Sequence, residues 1–133
     1  MRGFTIATDA IRPMGMHDFR RLDVWHDSID LTRDVYEATR GFPRAELFGL
    51  TSQMRSAAVS ISSNIAEGAG RGTSKEFARF LRIAVGSLSE LDSQLELSVR
   101  LGMAEPQPDL VAEIVALRKR IYRLLNRVSP PGS

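Results

Sequence analysis

LFGLTSQMRSAAVSISSNIAEGAGRG, residues 47–72, decides the fold. Leu50, Met54, Ala57 or Ala58, Ile61 and Ile65 recur at steps of three and four, which puts them on one stripe of a helix. Ser56, Ser60, Ser63 and Glu67 keep the same period on a second stripe. The residues between are mostly Ala and Ser, so the helix is thin and its neighbours can come close. Gly68, Gly70 and Gly72 are expected to end it, because glycine enters the left-handed C-terminal conformation without steric cost. Nothing in the stretch reads as catalytic.

Working outward, helix one is expected over about Leu22 to Arg40. Leu22, Trp25, Ile29, Thr32 and Tyr36 form one stripe, widened by Val24, Leu31, Val35 and Ala38. Gly41 and Pro43 stop it. Trp25 is expected in the core or at an interface. Past the glycine break, Thr73 or Ser74 can cap helix three, and Glu76 suits the positive end of its dipole. Phe77, Leu81, Ala84, Leu88, Leu91 and Leu95 make a heptad seam that lasts nearly to Leu101. A second apolar stripe, Phe80, Ile83 and Leu97, lies beside it. Two stripes predict burial on two sides, one inside the bundle and one against another subunit. Gly102 ends helix three, and Pro106 and Pro108 stiffen the loop.

Helix four is expected over about Asp109 to Val128, with Leu110, Ile114, Leu117, Ile121, Leu124 and Val128 as its seam. No strand pattern competes. The fold class is all-α: an antiparallel up-and-down four-helix bundle over residues 17–128. Residues 1–16 carry no sustained period and read as a flexible leader, with Met1, Met14 and Met16 as alternative start codons. Residues 129–133, SPPGS, read as a flexible tail.

With 133 residues, 43% of them hydrophobic, the chain holds one domain with a real core. Cysteine is absent, which excludes disulfides and thiolate metal sites and fits a reducing cytoplasm. No run of about 18 apolar residues is present to span a membrane, and no secretory signal opens the chain. The net charge is only +2, and only Lys75 and Lys119 among the cations are lysine. Clustering therefore matters more than the total.

The chemistry-bearing residues are sparse. His17, Asp18, Asp23, His26, Asp27 and Asp30 lack the spacing of a metal site and read as solvated positions. The serines have no evident base, and GAGRG lacks the lysine and the preceding strand of a phosphate loop. Neither a catalytic residue, a metal nor a cofactor is expected, and the protein reads as no enzyme.

The cations do cluster. Arg71, Lys75, Arg79 and Arg82 surround the start of helix three, with Glu76 opposing them. Arg120, Arg123 and Arg127 share a face at the end of helix four, near Arg118 and Lys119. An antiparallel bundle brings both helix ends to one pole. That basic pole has two readings: a surface that neutralises the phosphates of RNA or DNA, or ordinary faces that are solvated, favoured by the helix dipole or ion-paired between subunits with Glu90, Asp92 or Glu96.

Two long blocks carry a family resemblance: DFRRLDVWHDSIDL at 18–31 and FPRAELFGLTSQMRSAAVSISSNIAEGAGRGTSKEFARFLRIAVGSLSELDSQLEL at 42–97. Within them, Leu22-Asp23-Val24-Trp25, Gly49-Leu50-Thr51-Ser52-Gln53, Ser63-Asn64-Ile65-Ala66-Glu67-Gly68 and Gly86-Ser87-Leu88-Ser89-Glu90-Leu91 are specific in combination. The chain resembles the four-helix bundle family of 23S rRNA-intervening-sequence proteins, and through it the accessory variability determinant of diversity-generating retroelements. The resemblance implies a ring-shaped homopentamer and possible partnership with RNA, DNA or a reverse transcriptase. It implies structural roles for the polar Gln53, Asn64 and Glu67, across the bundle or between subunits, and a subunit interface at Ile83 and Leu97. Two functions follow as expectations. One is a non-enzymatic oligomer that contacts nucleic-acid phosphates. The other is a protein-binding adaptor, such as a reverse transcriptase accessory factor.

Overall fold

The computed structural model describes residues 18–130 and 132. The leader, its three methionines and His17 lie outside the described residues, as do Pro131 and Ser133 of the tail. Among the described residues the protein is all-helical. Four helices follow one another: α1, Asp23–Thr39; α2, Leu50–Ala69; α3, Ser74–Arg100; and α4, Pro108–Val128. Short 3-10 turns at Phe19–Arg21 and Arg44–Glu46 precede α1 and α2. Each helix packs on its neighbours in sequence, and α4 closes back onto α1, so α1 and α3 stand across the bundle from each other. This is the up-and-down four-helix bundle that the periodicity predicts.

The seams of α2, α3 and α4 fall where the four-three repeats put them. Met54, Ile61 and Ile65 from α2, Phe77, Leu81, Leu88 and Leu91 from α3, and Ile114, Leu117 and Ile121 from α4 are all essentially inaccessible to solvent. Phe80 joins this core, whereas Ile83 and Leu97 from the same expected second stripe stay exposed. Each seam also carries a polar tie. Arg55 Nε donates to Thr39 Oγ1 at 2.9 Å between α2 and α1. The Ser60 and Ser87 hydroxyls meet at 2.9 Å between α2 and α3. Arg118 reaches Asp92 at 3.5 Å between α4 and α3, and Arg120 reaches Asp27 at 2.9 Å between α4 and α1.

Helix α1 is rotated from the expected stripe. Its buried face is Val24, Ser28, Leu31, Val35 and Thr39, whereas Ile29 and Tyr36 are exposed. Two hydroxyls make this possible by satisfying themselves locally: Ser28 donates to the Trp25 carbonyl at 2.6 Å and Thr39 to the Val35 carbonyl at 2.9 Å.

The glycines after α2 also play other parts than the sequence suggests. Gly68 lies inside the helix and is buried. A Cβ there would sit 2.6 Å from the Phe80 Cβ and 3.2 Å from Phe77 Cδ1, so this glycine exists for the close approach of α3. Gly70 remains right-handed, and only Gly72, at φ 86°, is left-handed. At the far end of α3, Gly102 has φ 74°. Its N–H donates to the Val99 carbonyl and the Met103 N–H to that of Ser98, closing the helix with a Schellman motif. Thr73 caps the start of α3, its hydroxyl accepting from the Glu76 N–H at 3.2 Å.

Candidate nucleic-acid interface

Alternating direction brings four helix ends to one pole: the start of α1, the end of α2, the start of α3 and the end of α4. The cations of this pole divide into two groups.

The first group surrounds the α2–α3 turn and is largely engaged. Arg71 Nε meets Glu67 Oε2 at 3.2 Å. Arg79 binds Glu76 through two bonds of 3.1 and 3.2 Å. That bidentate bond, offset in part by desolvation, holds the Glu76 carboxyl below its ordinary range and raises Arg79 in turn. Both guanidinium groups also lie over the Phe80 ring, at 5.0 and 4.4 Å from its centroid. Lys75 and Arg82 are exposed and make no ion pair among the described residues.

The second group lines a cleft of about 470 Å³ between the start of α1 and the end of α4, with Arg21, Arg120, Arg123 and Arg127 around Leu22, Val24 and Leu124. Arg123 and Arg127 reach it by the three- and four-residue steps of α4. Arg120 is tied to Asp27, and Asp23 also borders the cleft. Arg21, Arg123 and Arg127 make no ion pair among the described residues.

Arg21 is absent from the sequence-based set, and what positions it is a local structure. Asp18 caps the 3-10 turn by accepting from the Arg20 N–H at 3.0 Å. The Phe19 ring packs on Trp25 at 4.9 Å between centroids. The His26 imidazole Nε2 donates to the Arg20 carbonyl at 2.6 Å. Trp25 and His26 therefore pin the turn onto α1, and Arg21 at its end faces α4. The doublet Arg20-Arg21 ahead of Trp25 is the available signal in the sequence, but its nearness to α4 is a tertiary fact.

Farther up the same α1–α4 seam the sign reverses. A groove of about 500 Å³ is lined by Asp27, Asp30 and Asp34 of α1 and by Asp109 and Glu113 of α4, over Ala112, Ala116 and Leu117. Arg33 is divided between Asp30 at 3.6 Å and Asp34 at 3.3 Å. Burial, then the hydrogen bond and charge of Asp34, push the Glu113 carboxyl up to about 7, against the pull of Arg33.

The polar residues of the signature blocks fall into separate places. Asn64 Nδ2 donates to the Ser60 carbonyl at 2.7 Å and to its hydroxyl at 2.9 Å, extending the Ser60–Ser87 link. Glu67 serves Arg71. Gln53 is exposed. No group of three or more His, Cys, Asp or Glu among the described residues is arranged to hold a metal.

The family model of the 23S rRNA-intervening sequence proteins matches residues 20–127, which takes in all four helices and both cation groups. The chain belongs to this family. No curated protein sequence matches it. Membership agrees with the all-helical bundle and with the family expected from the sequence. Among its described residues, no helix is long and apolar enough to cross a membrane.

Proposed function

We propose that this family member is a non-enzymatic oligomeric bundle, resident in the cytoplasm, that binds RNA or DNA through phosphate contacts at its arginine pole. The observation that carries the reading is the α1–α4 cleft. Three of its four arginines make no ion pair among the described residues, and they converge from α4 and from the 3-10 turn before α1 on one opening. A guanidinium matches a phosphate bidentately, and such contacts recognise backbone and charge rather than sequence. Arg21, Arg123 and Arg127 make the primary contacts, with Arg120 steadied by Asp27. Lys75 and Arg82 extend the pole, while Arg71 and Arg79 contribute less because Glu67 and Glu76 already neutralise them.

The assembly is a ring-shaped homopentamer, as the family resemblance implies, with the exposed Ile83 and Leu97 buried between copies. The test is charge reversal. Arg123→Glu with Arg127→Glu is expected to abolish binding to a structured RNA or a DNA duplex while leaving helicity unchanged. Unaltered affinity in that variant would contradict the assignment.

One observation favours a second reading, a protein-binding adaptor such as a reverse transcriptase accessory factor. Phe48 is 93% exposed beside a groove lined by Tyr36, Leu47 and Val59. On that reading Phe48→Ser abolishes capture of the partner protein and leaves nucleic-acid binding intact.

A further inference from the structure

One residue of the arginine cleft works against phosphate binding. Asp23 borders the cleft together with Arg21, Arg123 and Arg127. It is exposed and makes no ion pair among the described residues, although three unpaired guanidinium groups line the same opening. As the first residue of α1, its carboxylate suits the helix dipole, which explains why the helix tolerates it. Toward a phosphate it is repulsive. The floor of the cleft is no better matched to a phosphate, because it is hydrocarbon. Val24 and Leu124 are buried there, with Leu22 half-buried beside them. A surface that only neutralises a backbone needs neither the carboxylate nor the apolar floor.

An unpaired nucleobase uses both. Its flat face packs on hydrocarbon or on a guanidinium plane, and its edges carry hydrogen-bonding groups. The cleft volume of about 470 Å³ lies in the range of roughly 300–1,000 Å³ that small-molecule sites occupy, which gives room for a single nucleotide. Guanine matches the polar groups most fully. Its N1–H and exocyclic amine are adjacent donors that one carboxylate accepts together, and its O6 and N7 are adjacent acceptors that a guanidinium bonds as a pair. Uracil offers a carboxylate a single donor. In a duplex the donor edge is already paired and the face is stacked, so only phosphates reach the cleft.

We infer that the α1–α4 arginine cleft takes an unpaired guanine nucleotide of single-stranded nucleic acid. The base lies on Leu22, Val24 and Leu124, and its Watson–Crick edge donates to the Asp23 carboxylate. Arg21, Arg123 and Arg127 hold the flanking phosphates and the far edge of the base. Asp23 is then a specificity-determining residue: it weakens the hold on any phosphate and strengthens binding only of a base with two adjacent donors. This rests on the reading of the pole as a nucleic-acid interface and names the strand that fits it.

Fluorescence anisotropy at fixed salt tests this with three probes: oligouridylate, the same strand with one central guanosine, and a blunt RNA duplex of equal length. Wild type is compared with Asp23→Asn, which keeps the size of an exposed side chain, with circular dichroism to confirm folding. Wild type is expected to bind the guanosine strand about tenfold more tightly than oligouridylate. Asp23→Asn is expected to erase that preference and to bind the duplex as well as wild type or better, because a charge that repels phosphate is gone. Inosine in place of the guanosine lacks the exocyclic amine and is expected to remove most of the preference in wild type. That comparison needs no variant, so it stands even where Asp23→Asn fails to fold. The same strands made as DNA show whether the sugar matters, and a guanine preference with either sugar supports the inference. Equal binding of the strands with and without guanine, or a preference that survives Asp23→Asn, would overturn the inference and leave the phosphate reading in place. No binding to any probe would overturn both.

Discussion

Gly68 and Glu113 show how much a single side chain decides here. A methyl group at Gly68 would enter the space held by Phe80 and Phe77, so α2 and α3 must part or the rings must move. Gly68→Ala is expected to destabilise the fold by about 2 kcal/mol, the usual size of an overpacking cost, measured by urea denaturation. An unchanged midpoint would mean the seam can open without loss. Glu113 acts through its proton. Its carboxyl is pushed up to about 7 in the folded chain, from an ordinary value of 4.5. The native state therefore holds the proton more tightly than the unfolded chain does. That contribution is complete below about pH 4.5 and is lost as pH rises through about 7. Glu113→Gln is accordingly expected to stabilise the protein at pH 8 and to change little at pH 4.5. The gain at pH 8 is about 1 kcal/mol once solvent screening of this half-buried group is allowed for. Thermal melts at the two pH values check the sign.

At the scale of elements, the start of α3 depends on one hydroxyl. Thr73→Ala removes the acceptor for the Glu76 N–H and is expected to cost about 1 kcal/mol, with Thr73→Ser recovering most of it. A melt that does not move would show that Ser74 takes over the cap. The helices whose seams are aliphatic are legible from sequence: α2, α3 and α4 bury the residues that their repeats nominate. Helix α1 is not, because its inward face includes Ser28 and Thr39. Their hydroxyls bond to carbonyls of their own helix, and a hydrophobic pattern cannot register polar atoms satisfied in this way. The pattern then favours Ile29 and Tyr36, which sit on the flank. Gly68 escapes the sequence for a related reason. Its position near a helix end suggests a cap, and only the neighbouring helix reveals a close approach.

On the scale of the whole molecule, the antiparallel topology is enough to gather cations from α3 and α4 at one pole. Their availability is not legible from sequence. Glu67 occupies Arg71 and Glu76 occupies Arg79, so the α1–α4 cleft is the more open of the two groups. Arg21 completes that cleft only because Phe19, Trp25 and His26 fold its turn against α1. His26→Ala is therefore expected to weaken nucleic-acid binding several-fold without changing the bundle, by freeing the turn that carries Arg21. Affinity equal to wild type would mean that the turn is held without the imidazole. The measurement that bears most directly on the central claim is binding to a structured RNA and to a DNA duplex by fluorescence anisotropy across a salt series. Wild type should bind with an affinity that falls steeply as salt rises. On duplex DNA, neutralising Arg123 and Arg127 to Gln should flatten the logarithmic slope by about 2, close to one unit for each phosphate left without its arginine. Absence of binding at low salt, or a slope indifferent to both substitutions, would contradict the claim that this pole neutralises phosphates.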